Sequence, residues 1–346
     1  MTHILPTTPY ALGYRMPAEW EKHEATWLTW PKNPTTFPPR LMEEVEQIYV
    51  KMIEELAQGE RVDLLVDDTT TIEKVSSLLE SDDNVVFHTI KTVDVWVRDY
   101  GPIFLKNSNS IAATKWIFNA WGNKYEDLRL DQEIGMKIAQ STGARIFEPD
   151  MVLEGGSIDV NGAGTCITSK QCLLNKNRNS HLNQDQITQF LKEYLAVTKV
   201  IWLDSGVAGD DTDGHVDDIA RFVNKNTIIC MTEDNPEDEN YTPLKKNLQI
   251  INETPNQKED GIQVVPIRMP KKVDSEEGRL PASYANFYIG NTVVLIPTYD
   301  DPNDSPALNT LQTLFPDRKV VGINCKPLLY GLGAIHCVTQ QQPQPH

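Results

Sequence analysis

GPIFLKNSNSIAATKW (101–116), GSIDVNGAGTCITS (156–169), DIARFVNKNTIICM (218–231) and NFYIGNTVVLIP (286–297) share one plan: an apolar strand, an Asn/Gly turn and a second strand. This is the sequence form of a β-hairpin. With Asn107, Asn161, Asn224 and Asn291 as turn markers, the intervals are 54, 63 and 67 residues. A unit of about 60 residues, with a helix between hairpins, fits the 346-residue chain about five times. Residues 61–68 and 334–340 are candidates for the strands of a fifth unit. Helical spacing places Leu41, Met42, Val45, Ile48, Tyr49, Met52, Ile53 and Leu56 on one face over 40–57. Further helices are expected over 70–81, over 183–196 with Asn183 as N-cap, and over 303–315 with Pro306 in the first turn. The competing reading is an ordinary α+β domain whose hairpins merely look alike.

Composition narrows the function. Lys plus Arg number 32 against 49 Asp plus Glu, a formal charge of −17. Such a balance repels phosphate backbones and anionic membranes and favours cationic small molecules, so nucleic acid and membrane are not expected partners. No run of uninterrupted apolar residues is long enough for a membrane-spanning helix. The five cysteines are odd in number and form no CxxC pair, which points to a reducing cytoplasm. MTHILPTTPYALGYRMPAEW (1–20) has no basic segment followed by an apolar one, so no secretory signal is read there. A homo-oligomer is compatible with all of this.

Seven to nine residues before each turn marker stand Asp99, Glu154, and His215 with Asp217; Ser283 and Tyr284 hold the matching place in the fourth block. If the hairpins surround an axis, these strand starts converge on one cavity. Single carboxylates there would ordinarily be solvated loop residues. WVRDYGP, however, sets Asp99 between Trp96 and a Gly101–Pro102 turn, and LEGGS sets Glu154 beside two glycines. In GLGAIHC (331–337) glycines lead a short apolar strand to Cys337. Residue type alone makes Cys337 a buried structural cysteine; a shell of acids and a His makes it a candidate nucleophile. Cys166, Cys172, Cys230 and Cys325 keep the structural reading. No metal site is expected, since the histidines are scattered without HExxH or CxxC, and no GxGxxG or Walker motif supports a nucleotide cofactor.

WVRDYGP, LEGGSIDV, DTDGHVDDIARF, RLPASYANFYIGN and GAIHCVTQQQP, with MPAEWEKHEATWLTWP at the N-terminal side, resemble the agmatine deiminase and bacterial-type peptidylarginine deiminase family over about residues 14–343. The resemblance implies an α/β pentein, a five-bladed αβ propeller with pseudo-fivefold repeats around a central active site, forming a single catalytic domain over 1–346. It implies hydrolysis of agmatine to N-carbamoylputrescine and ammonia, a step towards putrescine, through a covalent Cys thiouronium and with no cofactor. Carried over by position, Cys337 is similar to the nucleophile and His215 to the general acid and base. Asp99 and Asp217 are similar to the carboxylates that grip the guanidinium, and Glu154 to the acid supporting both. Asp211 stands where agmatine-specific relatives carry an acid and would meet the distal ammonium, with Trp96 or Trp121 flanking the butyl chain. Asp210 and Asp213 are read as solvated loop charges. Two departures are Tyr100, where the family commonly has Thr and a bulky ring would narrow the pocket, and Ala334, where agmatine deiminases often have Asn. Arginine or peptidyl-arginine as substrate, a catalytically silent pentein, and a cysteine amidase or protease are the alternatives.

Overall fold

The computed structural model describes residues 7–254 and 261–345; residues 1–6 of the stretch read for a secretory signal lie outside it. All four hairpins form. Ile103–Lys106 pairs antiparallel with Ile111–Thr114, Ile158–Val160 with Thr165–Ser169, Ala220–Asn224 with Thr227–Thr232, and Tyr288–Ile289 with Val293–Thr298. Each second strand then gains a parallel neighbour: Arg145–Phe147, Lys199–Leu203, Gln263–Arg268 and Lys319–Asn324 respectively. Parallel strands cannot be joined by a tight turn, so a helix makes each crossover. These helices are Ile134–Ser141, Gln184–Leu195, Tyr241–Glu253 and Asp304–Leu314.

Local signals in the sequence explain several boundaries. The Asn183 side chain accepts from Gln186 N while the Gln186 side chain accepts from Asn183 N, a reciprocal cap that starts the second crossover helix. Pro306 lies in the first turn of Asp304–Leu314, where its missing N–H costs nothing. The helix expected over 40–57 runs Met42–Ala57 and buries Val45, Ile48, Tyr49, Met52, Ile53 and Leu56. The one expected over 70–81 ends at Leu78, because Leu79 turns extended. Asn107 and Asn161 each accept two backbone N–H groups of their own turns, and Asn224 accepts one.

The fifth sheet joins the two ends of the chain. Gln340–Pro343 runs antiparallel to His23–Thr29, which is parallel to Arg61–Val66, itself parallel to Val85–Thr89. The order is therefore antiparallel pair, helix, parallel strand once more, with the pair drawn from the two ends of the chain, Met42–Ala57 as the crossover and Thr69–Leu78 leading to the added fourth strand. Of the two segments read as strands of a fifth unit, 61–68 supplies Arg61–Val66, whereas the reading of 334–340 needs correction. The strand between Arg61–Val66 and the C-terminal strand is His23–Thr29, and residues 334–339 form no strand. Asn286 accepts from His336 N and Cys337 N, so these donors are unavailable to a ladder and the chain makes the short turn His336–Val338. Among the described residues, one further hairpin, Val273–Ser275 with Gly278–Leu280, lies outside the repeated pattern.

Asn291 sits at the fourth turn but serves the fifth sheet: its Nδ2 donates to His23 O and Gly59 O, and its Oδ1 accepts from His23 N. Asn291→Ala would leave these backbone groups without partners at a half-buried seam. The expected loss is about 1–3 kcal/mol in urea unfolding. No change in the midpoint would mean that this tie does not hold the fourth turn to the fifth sheet.

Candidate active site

Each of the five repeated sheets is entered through a tight turn just before its first strand, and these turns carry the chemistry. Asp99 lies in Val97–Tyr100, Glu154 precedes Gly155–Ser157, His215 precedes Val216–Asp218 and Asp217 lies within it, and Cys337 lies in His336–Val338. Cys337 thus stands on a turn and not on the strand expected for it. In the fourth unit Asn286, and not Ser283 or Tyr284, reaches the cluster: its Nδ2 donates to Cys337 Sγ at 3.1 Å. The Ser283 hydroxyl donates to Asp218 O, and the Tyr284 hydroxyl turns away to the carboxylate of Asp304.

The turns bring the five expected residues together. His215 Nδ1 lies 3.8 Å from Asp99 Oδ2, and its Nε2 4.0 Å from Glu154 Oε2. Asp217 Oδ2 is 3.9 Å from Cys337 Sγ. Such density requires a close backbone, and Gly156 provides it. A Cβ there would fall 2.6 Å from His215 Nδ1 and 3.0 Å from carboxylate oxygens of Asp99 and Asp217, while the Gly156 N–H donates to Asp99.

Burial and charge set the protonation. Burial, with Asp217 and Glu154 nearby, pushes Asp99 up to about 6 despite His215 and the Gly156 N–H. Burial opposes a charged His215, but Asp99, Cys172 and Glu154 outweigh it and hold the imidazole pKa well above its ordinary value. Burial raises the Cys337 thiol strongly, reinforced by Asp217, Asp218 and Asp99. Asp217 goes the other way. Burial is overcome by its hydrogen bond to His336 and by the charges of His336, His215 and Arg221, which hold it below the usual carboxylate range.

A second layer, unread in the sequence, supports these groups. His336 places Nδ1 2.7 Å from Asp217 Oδ2 and Nε2 2.8 Å from Glu19 Oε2. Glu19 also meets Arg221 at 2.9 Å and accepts from Ile289 N. Arg98 donates to His336 O and Gln341, and Arg178 Nε donates to Glu154 Oε1 at 2.6 Å. Glu19 and Arg98 lie within stretches already quoted, MPAEW and WVRDYGP, yet no local pattern separates them from solvated charges. Arg178 (NKNRNS) carried no signal.

A cavity of about 1030 Å³ leads to this cluster, lined by Trp96, Asp99, Trp121, Asp211, Tyr330 and Cys337 among others. Trp96 and Trp121 meet edge to face at 6.4 Å, and Trp121 Nε1 donates to Asp99 Oδ2 at 2.9 Å. Residues Ala120 to Asn123 all have positive φ, a left-handed turn that no helix of L-residues adopts without strain. At Gly122 a Cβ would strike the Asn177 side chain at 2.3 Å, so glycine is required twice over.

A family model described as Porphyromonas-type peptidyl-arginine deiminase matches residues 15–343. The chain belongs to this family. It is 36% identical to the agmatine deiminase of Ectopseudomonas mendocina, covering 99% of this chain and 98% of that one. A solved C. jejuni agmatine deiminase, a cysteine-to-serine variant with substrate bound, is 34% identical with a TM-score of 0.88 over 96% of each chain. The agmatine deiminase of Enterococcus faecalis is 32% identical with a TM-score of 0.89 over 100% of each. DDAH from Pseudomonas aeruginosa, 14% identical with a TM-score of 0.51 over 92% of this chain and 99% of that one, shares the α/β pentein fold alone.

Within this deiminase-family chain several sequence readings change. Asp210 and Asp213 are not solvated loop charges. Asp210 accepts from Gly214 N and His215 N, fixing the turn into His215, and Asp213 pairs with Arg178 and Lys124. Tyr100 does not narrow the pocket: its ring is buried in the core, with its hydroxyl against Thr29 and Asp94 O. Asp211 is at the cavity wall, accepting from Tyr125 OH at 2.5 Å. Cys172 also departs from its purely structural reading. It lies with Glu154 and His215, donor atoms of all three within 4.8 Å of one another, as metal ligands would. Cys166, Cys230 and Cys325 are buried free thiols, Cys230 pushed up to about 12 by burial. No helix of the described residues is long and apolar enough to cross a membrane.

Replacing Trp121 with Phe removes one of the donors that stabilise ionised Asp99. Its pKa, already near 6, should climb by about one unit, since a hydrogen bond to a charged group contributes about 1.5–3 kcal/mol. Carboxyl-carbon NMR titration of the two proteins reads this directly; coincident curves would remove Trp121 from that role.

Proposed function

We propose that the protein is an agmatine deiminase, acting as a single catalytic domain built as a five-bladed αβ propeller with the site on its axis. The observation that carries this reading is a set of buried polar atoms with no partner in the fold: Glu154 Oε2, His215 Nε2 and Asp217 Oδ1. Leaving such groups bare costs about 1–3 kcal/mol each, and the N–H groups of a planar guanidinium would satisfy the two carboxylate oxygens. The five free cysteines support a reducing, cytoplasmic setting.

Asp99, Asp217 and Glu154 hold the guanidinium and fix its carbon against Cys337 Sγ. In the free protein the thiol is kept protonated by its acidic neighbours. A bound cation offsets that field, so the substrate itself favours the thiolate. Sulfur then bonds to the guanidine carbon, giving a tetrahedral adduct. His215, charged at neutral pH, gives a proton to the departing nitrogen; the C–N bond breaks, ammonia leaves and a thiouronium remains. Neutral His215 takes a proton from water as the oxygen attacks the same carbon. Collapse expels the sulfur, the proton of the new hydroxyl passes to it to restore the thiol, and N-carbamoylputrescine is left. The cysteine-to-serine form of the C. jejuni enzyme with substrate bound supports the nucleophile assignment.

At the far end Asp211 meets the ammonium, with Trp96 and Trp121 as an apolar sleeve around the butyl chain. Free arginine adds a carboxylate beside its ammonium, and an arginyl peptide replaces the ammonium with an amide; an acidic wall disfavours the first and gains no charge pair from the second.

Ammonia release from agmatine, arginine and an arginyl peptide, with product identification, tests the substrate. Activity on arginine without agmatine turnover would overturn the reading. Folded Cys337→Ser should be inactive. An arginine-like haloacetamidine should label Cys337 alone and fast at pH 7, whereas a neutral alkylator should react slowly and accelerate as the pH rises above that of an ordinary thiol. Labelling spread over the other thiols would count against a special site. Asp211→Asn should depress kcat/KM for agmatine at least tenfold more than for a guanidine lacking the distal amine; equal effects would place the amine elsewhere.

A further inference from the structure

Of the five thiols, Cys172 is one that lies against the catalytic cluster without taking part in the reaction described. It sits in the turn Lys170–Leu173, fully buried, its N–H held by the Ser169 hydroxyl. Its sulfur lies within 4.8 Å of a ring nitrogen of His215. Together with Glu154 and His215 it forms a three-donor set, sulfur, carboxylate oxygen and imidazole nitrogen, with the three atoms within 4.8 Å of one another. Two of these atoms, Glu154 Oε2 and His215 Nε2, are buried and have no hydrogen-bond partner in the fold.

We propose that Glu154 Oε2, Cys172 Sγ and His215 Nε2 form an inhibitory binding site for a thiolate-preferring divalent cation of the zinc type. The donor chemistry selects the metal: one thiolate and one imidazole suit zinc, whereas magnesium and calcium require oxygen ligands. Tetrahedral coordination at about 2.0–2.3 Å sets neighbouring donors roughly 3.3–3.8 Å apart. The Glu154 and His215 atoms, at 4.0 Å, need only a small closure. Outer partners are already present, because Arg178 holds the other oxygen of Glu154 and Asp99 faces the other nitrogen of His215. A carboxylate behind a metal-binding histidine fixes its ring and raises its basicity. Asp99 and Asp217 add negative charge that favours a dication, while the Arg178 guanidinium opposes it.

Binding replaces the proton on Cys172 Sγ, and any proton on His215 Nε2, with the metal; these protons leave to solvent, and water completes the fourth position. No electron transfer is involved. The metal would compete with a guanidinium for Glu154 and would tie up His215. Binding stands independently of the reaction assignment, and only the inhibition rests on His215 acting in it.

The test is titration of metal-free protein with Co²⁺, following the near-ultraviolet charge-transfer absorption of a cobalt–thiolate bond. We expect one equivalent per chain in the wild type and in Cys337→Ser, and no such band in Cys172→Ser or Cys172→Ala. Zn²⁺ should displace the Co²⁺, and Mg²⁺ should not. X-ray absorption of the zinc-loaded wild type should show one sulfur among nitrogen and oxygen ligands, a readout that depends on no variant and on no activity. Absence of the band, its loss in Cys337→Ser, its persistence in the Cys172 variants, or a sulfur count other than one would each overturn the site. Zn²⁺ should also inhibit ammonia release from agmatine, at least tenfold less potently in the Cys172 variants. Cobalt binding as described without inhibition would keep the metal site and overturn its inhibitory role.

Discussion

Asp99, Glu154 and Asp217 are carboxylates withdrawn from water within one cluster, beside a cysteine and a histidine equally buried. Each buried ion carries a desolvation penalty of several kcal/mol unless charges and hydrogen bonds answer it. Much of the surrounding architecture is that answer. Arg178 is committed to Glu154, Arg221 to Glu19 and Asp159, and His336 to Asp217 and Glu19 at once. The compensation is incomplete at Glu154 Oε2 and Asp217 Oδ1, and those two oxygens are where a cationic ligand completes it.

The repeated unit makes this concentration possible. A hairpin extended by a crossover helix and a parallel strand leaves its first strand with a free entrance, and in every unit that entrance is a tight turn. Five turns of unrelated sequence therefore meet. The closure between Gln340–Pro343 and His23–Thr29 matters for the same reason, since it brings Cys337 and His336 from one end of the chain to Glu19 from the other.

Conformational strain is confined to one wall of the cavity. The left-handed turn through Ala120, Trp121, Gly122 and Asn123 costs roughly 1–2 kcal/mol for each non-glycine residue. It is over-determined by the Asn119 cap onto Gly122, by the Asn119 bond to Asn177 O, and by edge contacts of Trp121 with Trp96, Phe118 and Tyr125. The strain turns the indole N–H onto Asp99, so one residue both walls the cavity and donates to a carboxylate at its end.

The hairpins, the amphipathic helices and their caps were determined by the sequence itself, because strand periodicity, Asn turns and Asn183 with Gln186 act over a few residues. Asp99, Glu154, His215 and Asp217 could be singled out by their constant offset from those turns, and Cys337 by its company. Tertiary structure alone decided that the strand of the fifth sheet begins after Cys337, because the side chain of Asn286, 51 residues away in sequence, captures the donors a ladder would use. It alone decided that Asp210 and Asp213 are structural, that Tyr100 faces the core, and that Glu19, His336, Arg178 and Cys172 belong to the site. A charge in a sequence reads as solvated until the fold removes its water, and which charges lose their water depends on neighbours brought from elsewhere in the chain.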